Sequence, residues 1–152
     1  MCLVIGYGNA LRSDDGAGIA VAEAIARWPG TTFRAIACHQ VLPELAAELA
    51  TVPTVIFVDA YPAADCTDGG VEMRRLSPDI EASMLSPHDL TPAALLGLCE
   101  RLYGHCPTAY WVLIPGHDWH FSEQLSPATQ SGVQQALWLI RHWNDQEVLC
   151  TN

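Results

Sequence analysis

Leu3-Val4-Ile5-Gly6-Tyr7-Gly8-Asn9-Ala10-Leu11-Arg12-Ser13-Asp14-Asp15-Gly16 is the stretch that decides how the rest of the chain is read. Its first three residues form an apolar run entering a glycine-punctuated loop, the pattern of a buried strand that feeds a tight turn. After Gly16 the period changes. Ala17, Val21, Ala24, Ile25 and Trp28 recur at helical spacing until Pro29-Gly30 stops them, which completes a strand-loop-helix unit.

The same unit recurs outward from there. Residues 32–38 read as a second strand, and Leu42, Leu45, Ala46 and Leu49 recur at i, i+3, i+4, i+7 behind Pro43 at a helix start. Val55-Ile56-Phe57-Val58 has no polar alternation, as expected of a central strand buried on both faces, and it ends at Asp59. Residues 65–70 are rich in turn formers, and residues 71–76 supply a short edge strand carrying Arg74-Arg75. Thr91-Pro92 caps a helix running to Tyr103, with Gly104 as its stop. Residues 109–114 form the last strand, and Ser126-Pro127 opens a final helix with Val133, Ala136, Leu137 and Ile140 on one face.

Alternating strands and helices predict an α/β fold, a three-layer α/β/α arrangement around a mostly parallel sheet with right-handed crossovers. The 152 residues suit one domain, with no repeat or linker to divide them. Ligands in such sheets sit at the carboxyl ends of the strands. Those ends carry residues 6–15, Cys38-His39, Asp59 and Pro115-Gly116-His117, so polar groups from four strands should gather along one rim.

Composition narrows the function. Half the residues are apolar and 16% are charged, enough for a packed core and wrong for a disordered chain. The net charge of −10 places 17 acids against seven arginines, so a phosphate backbone would be repelled and nucleic acid is not an expected partner. Apolar runs fall far short of the roughly 20 residues that cross a bilayer, and no basic leader precedes Leu3, so a cytoplasmic protein without membrane attachment is expected. The six cysteines include no C-x-x-C pair, and free thiols are expected. Cys2 and Cys99 read as small buried hydrophobes, and the five tryptophans as core and cleft-wall residues.

Gly6-Tyr7-Gly8-Asn9-Ala10-Leu11 imitates a dinucleotide fingerprint, but Leu11 replaces the third glycine and Cys38-His39 stands where a ribose-binding acid belongs. Asp14-Asp15 would repel a phosphate at the following helix, so the loop suits a cation. Helix capping is the plainer account of that pair. Asp59 sits at the mouth of a buried strand, where desolvation calls for compensating charge or donors; a structural hydrogen-bonding role is its alternative. His88 lies in the turn Ser86-Pro87-His88-Asp89, a common setting for a surface histidine. One histidine with two carboxylates nevertheless makes an open oxygen and nitrogen set for a borderline divalent ion, one that binds weakly without thiolates. His117 and His120 form a second candidate, with Cys99 or Cys106 as thiol partners, although no H-E-x-x-H helix accompanies them.

Three separated segments resemble one family. Gly6-x-Gly8-Asn9-x-Leu11-x-x-Asp14-Asp15-Gly16-x-Gly18, the strand-end pair Asp59-Ala60 and Ser86-Pro87-His88 are similar in order and spacing to the nickel-iron hydrogenase maturation endopeptidases. The resemblance implies a twisted five-stranded sheet with helices on both faces. It also implies a metal-reading triad, here Asp15, Asp59 and His88, and removal of a C-terminal extension from the hydrogenase large-subunit precursor once nickel is installed. Nickel would then come with the precursor, the isolated protein binding divalent metal only weakly as a monomer. Gly8, Asn9, His39 and His117 are the expected substrate-contacting residues. A nickel-binding docking module or assembly chaperone without peptidase activity is the alternative function. Two departures stand out: the first-loop ligand is Asp15 where some members have Glu, and Cys38-His39-Gln40 replaces an Asp-Gly-Gly stretch. With residues 116–120, that replacement resembles the branch serving bidirectional, NAD-linked hydrogenases.

Overall fold

The computed structural model describes residues 1–66, 68–84 and 90–150, with side chains through residue 143. Nine principal elements follow one another along these residues: β1 (Cys2–Tyr7), α1 (Ala17–Ala26), β2 (Phe33–Cys38), α2 (Leu45–Leu49), β3 (Thr54–Pro62), β4 (Glu72–Leu76), α3 (Pro92–Tyr103), β5 (Thr108–Gly116) and α4 (Pro127–Cys150). The strands form one five-stranded sheet in the order β2-β1-β3-β5-β4, parallel throughout except that edge strand β4 runs antiparallel to β5. This is the three-layer α/β/α fold that the sequence predicts.

Strand alternation divides the core in two. Cys2 and Val4 of β1, with Ile56, Val58 and Ala60 of β3, pack on one face against α1 and α4. Leu3, Ile5, Val55 and Phe57 point the other way, toward α2 and α3. Residues 55–58 have no solvent exposure on either face, which explains why that run lacks polar alternation. Cys2 and Cys99 are buried as expected, whereas Trp138 is 62% exposed and belongs to no core wall.

Two glycines let α1 lie against the sheet. A Cβ on Gly6 would fall 1.9 Å from the Gly18 carbonyl oxygen, and one on Gly18 would fall 2.3 Å from the Val58 carbonyl oxygen. Both clashes are with backbone, so no side chain can swing aside to relieve them. Gly18→Ala is therefore expected to push the helix off β1 and β3 and destabilise the protein by about 2–4 kcal/mol. Urea unfolding checks this: the midpoint should fall with little change in slope, and an unchanged midpoint would contradict the close approach.

Two elements differ in length from the sequence reading. The helix α2 has five residues, because Leu42, its expected first core position, is 40% exposed ahead of the helix. β3 does not stop at Asp59 but continues to Pro62. β1 pairs with β3 only as far as Gly6↔Val58, while β3 stays paired with β5 through Pro62↔Gly116. Asp59 thus lies on a strand that has just lost one neighbour, at a notch in the carboxyl edge of the sheet.

Candidate functional site

The notch opens between β1 and β3, from which the chain departs in opposite directions along the sheet, the position where open α/β sheets hold ligands. Its first wall is the loop after β1. Gly8 takes a φ of 143°, and a Cβ there would lie 2.0 Å from the Asp15 carbonyl oxygen, so the loop can fold over this position only around glycine. Asn9 Oδ1 accepts from the Leu11 amide at 3.0 Å and sets the turn. The Asn9 amide donates to Asp15 Oδ2 at 2.8 Å, fixing that half-buried carboxylate.

Ser13 holds the same loop from below in a left-handed conformation, φ 48°, which costs about 1 kcal/mol or more for a residue with a side chain. Its amide donates to the Ser122 carbonyl and its hydroxyl to the Gln124 carbonyl, both at 2.7 Å, and these bonds over-determine the strained turn. Asp14, beside it, is fully buried. Its Oδ2 accepts from the His117 amide at 2.8 Å, the Asp118 amide at 2.9 Å and the Ser126 hydroxyl at 2.8 Å, and its Oδ1 from the Ser126 amide at 2.7 Å. Burial alone would raise its pKa, but the donors from His117 and Ser126 outweigh it and bring the carboxyl down to about 2. Asp14 is thus the anchor between the first loop and the β5–α4 loop, neither a helix cap nor a ligand, and its neighbour Asp15 is the acid left facing the notch.

Asp59 forms the second wall. Burial raises its pKa to about 6; the Tyr7 hydroxyl and the Ala60 amide partly offset this, and the Asp15 charge raises it further. The two carboxylates therefore sense each other across the notch. Burial and the adjacent Asp59 charge hold the Tyr7 phenol far above its ordinary pKa, so it remains a donor. The Trp111 indole lies near enough to favour the phenolate, yet its buried N–H makes no hydrogen bond of regular geometry. Tyr7 and Trp111 escape sequence reasoning because nothing local distinguishes them from core aromatics; the sheet register alone sets them beside Asp59.

His88, the third member of the expected triad, lies outside the described residues. Among the described residues no group of three His, Cys, Asp or Glu side chains is placed to hold a metal ion. The second histidine candidate separates: Cys106 precedes β5 and His117 follows it, and nine extended residues set them about 30 Å apart. His120 pairs with Asp118. Of the expected substrate contacts, Gly8, Asn9 and His39 line one groove of about 570 Å³, whereas His117 lines a separate cavity of about 120 Å³ with Gly69 and Gly70.

Two half-buried carboxylates stand at the strand notch, one of them with its pKa raised to about 6. A divalent ion would favour ionisation of both and relieve their mutual repulsion.

No family model and no curated protein matches the sequence. Solved structures do. The hydrogenase 2 maturation peptidase of Thaumarchaeota archaeon SCGC_AB-539-E09 superposes with a TM-score of 0.71 at 21% identity, over 95% of this chain and 97% of that one. The hydrogenase maturating endopeptidase HybD of Escherichia coli gives 0.71 at 21% identity, over 96% and 93%. The nickel-iron hydrogenase maturation protease HybD of Thermococcus kodakarensis gives 0.70 at 19% identity, over 93% and 97%. At these identities the likeness establishes a shared fold over nearly the whole of each chain.

Proposed function

We propose that this protein is a hydrogenase maturation endopeptidase, removing the C-terminal extension of a nickel-iron hydrogenase large-subunit precursor after nickel has been inserted. The observation that carries the reading is the pairing of Asp15 and Asp59 at the carboxyl-edge notch of a chain with the fold of solved hydrogenase maturation proteases. Asp15, Asp59 and His88 are the groups assigned to meet the nickel, which arrives as part of the substrate. An open set of two carboxylates and an imidazole holds such an ion weakly alone and gains from pooling with the ligands of a docked precursor.

The chain's own groups have distinct tasks in this reading. Asp15, locked by the Asn9 amide, presents a fixed carboxylate to the ion. Asp59, whose proton exchanges near pH 6, is suited to take a proton from the attacking water and return it to the leaving amine. Tyr7 orients Asp59 from behind. Cys38-His39-Gln40 and residues 116–120 support a bidirectional, NAD-linked enzyme as the hydrogenase served. No described helix is long and apolar enough to cross a membrane, and the reading assigns the protein to the cytoplasm as a monomer.

The test presents matched precursors, one nickel-loaded and one metal-free, to the purified protein and follows tail release by mass spectrometry. Release from the loaded form alone is expected, and free nickel added to the metal-free form should not fully substitute. Equal release from both would leave an ordinary sequence-specific peptidase. Binding to the loaded precursor without release would establish the docking-module alternative.

A further inference from the structure

Three shallow, mostly apolar grooves join end to end beside the notch. The first, about 570 Å³, runs from Cys38 and His39 past Asn9 and Leu11 to Ile19 and Glu23. The second, about 250 Å³, shares Ile19 and Glu23 with it and adds Glu123 and Leu125. The third, about 430 Å³, shares Leu125 and continues along α4 to Gln130 and Gln134. Together they make one trench that starts at the loop holding Asp15 and leads away from the notch across α1 to α4.

Leu11 lines the first groove, and Phe121 lies on the segment paired beside it. Leu11 is 45% exposed and Phe121 81% exposed. They belong to segments joined by a parallel bridge, Arg12↔Ser122, and by a bond from the Ser122 amide to the Leu11 carbonyl at 2.9 Å, which makes them register neighbours. A phenyl ring held in water on a loop pinned by hydrogen bonds has no packing role in its own chain, and an exposed aromatic beside an apolar groove is the usual anchor of a protein contact. Glu23 and Glu123 lie on the trench floor and rim, exposed, and form no ion pair among the described residues.

Charge selects the occupant. A second copy of this chain would bring its own net −10 and the same two glutamates to the contact, and nucleic acid or an anionic lipid surface would meet the same repulsion. We infer that the trench is the docking surface for an extended segment of the precursor that carries basic side chains beside apolar ones, with Leu11 and Phe121 gripping the apolar residues and Glu23 and Glu123 pairing with the basic ones. The inference rests on the proposed maturation role and adds a surface, lined by neither notch carboxylate, that selects the partner by its protein chemistry as well as by its metal.

Processing of the nickel-loaded precursor, followed by mass spectrometry over a range of precursor concentrations, separates this from the role itself. In Phe121→Ser and in the double variant Glu23→Lys with Glu123→Lys, KM should rise about tenfold or more while kcat stays within about twofold, because none of these side chains is among the groups assigned to the chemistry. Raising salt should weaken docking of the parent and affect the charge-reversed protein much less. Glu23→Gln, which cannot disturb the surface sterically, should give an intermediate KM. If the parent releases no tail and does not bind the precursor, the maturation role fails and the docking inference with it. If the parent processes normally but all these variants keep the parental KM, the docking inference alone is overturned. Reversible self-association that Phe121→Ser abolishes, with KM unmoved, would assign the surface to a second copy and equally overturn it.

Discussion

Asp59→Asn is expected to lower the rate of tail release by about a hundredfold to ten-thousandfold while making the metal-free protein more stable at neutral pH. In the proposed reaction the amide could neither accept a proton nor supply the charge assigned to face the ion. Stability rises because the native carboxyl group has a pKa of about 6 against an ordinary 3.8. Below pH 4 the group is protonated folded or unfolded and carries no penalty. As pH rises toward 6 the unfolded chain has released its proton while the folded one retains it, so stability falls, and at pH 7 the full penalty is present. Partial solvation of the carboxylate reduces that penalty to about 1–2 kcal/mol. Thermal melts of parent and variant without metal should therefore differ by several degrees at pH 7 and converge at pH 4. A variant that melts below the parent at both pH values would make Asp59 a structural hub and remove the ground for a catalytic role.

The buried acid of the first loop should behave in the opposite way. Asp14→Ala leaves the part-buried amides of His117, Asp118 and Ser126 without their acceptor, at a cost of about 3 kcal/mol or more. The midpoint of thermal unfolding should drop by about 10 °C or more. The native carboxyl, held near pKa 2, contributes stability above pH 4 that disappears as pH falls through 2, and this acid-sensitive part, about 2 kcal/mol, should be missing from the variant. Denaturant unfolding from pH 2 to 7 measures it. With Asp59 losing stability on the alkaline side and Asp14 on the acid side, these two groups place the stability maximum of the parent near pH 4. A variant with parental stability would mean the β5–α4 loop stands without its anchor.

The sequence makes the fold legible because its strongest signals are local and mutually consistent. The continuous run at residues 55–58, the Thr91-Pro92 cap and the Ser126-Pro127 start each describe what their own neighbours do. Thr91 Oγ1 accepts from the Ala94 amide at 3.1 Å and Gly104 adopts φ 76°, as the capping rules require. The length of β3 was not legible, because a polar residue after an apolar run resembles a strand end when in fact one neighbouring strand has ended. For the site, the burial of Asp59 was readable from the apolar run that precedes it. That Asp14 would be the buried one of the two consecutive acids was not, because its burial depends on donors from residues 117–126. Tyr7 was invisible for the same reason.

The bonds that seat Asp14 span 103 to 112 positions along the chain. Arg12 and Ser13 are likewise tied to residue 122. During synthesis from the amino terminus, at about 5–20 residues per second, the first loop has no partners until that distant segment has emerged, and closure over so long a span is a late step of folding. An incomplete chain therefore carries both notch carboxylates in the right order but without their arrangement. A chain cut before residue 117 therefore lacks every donor that seats Asp14, whatever the state of its earlier strands.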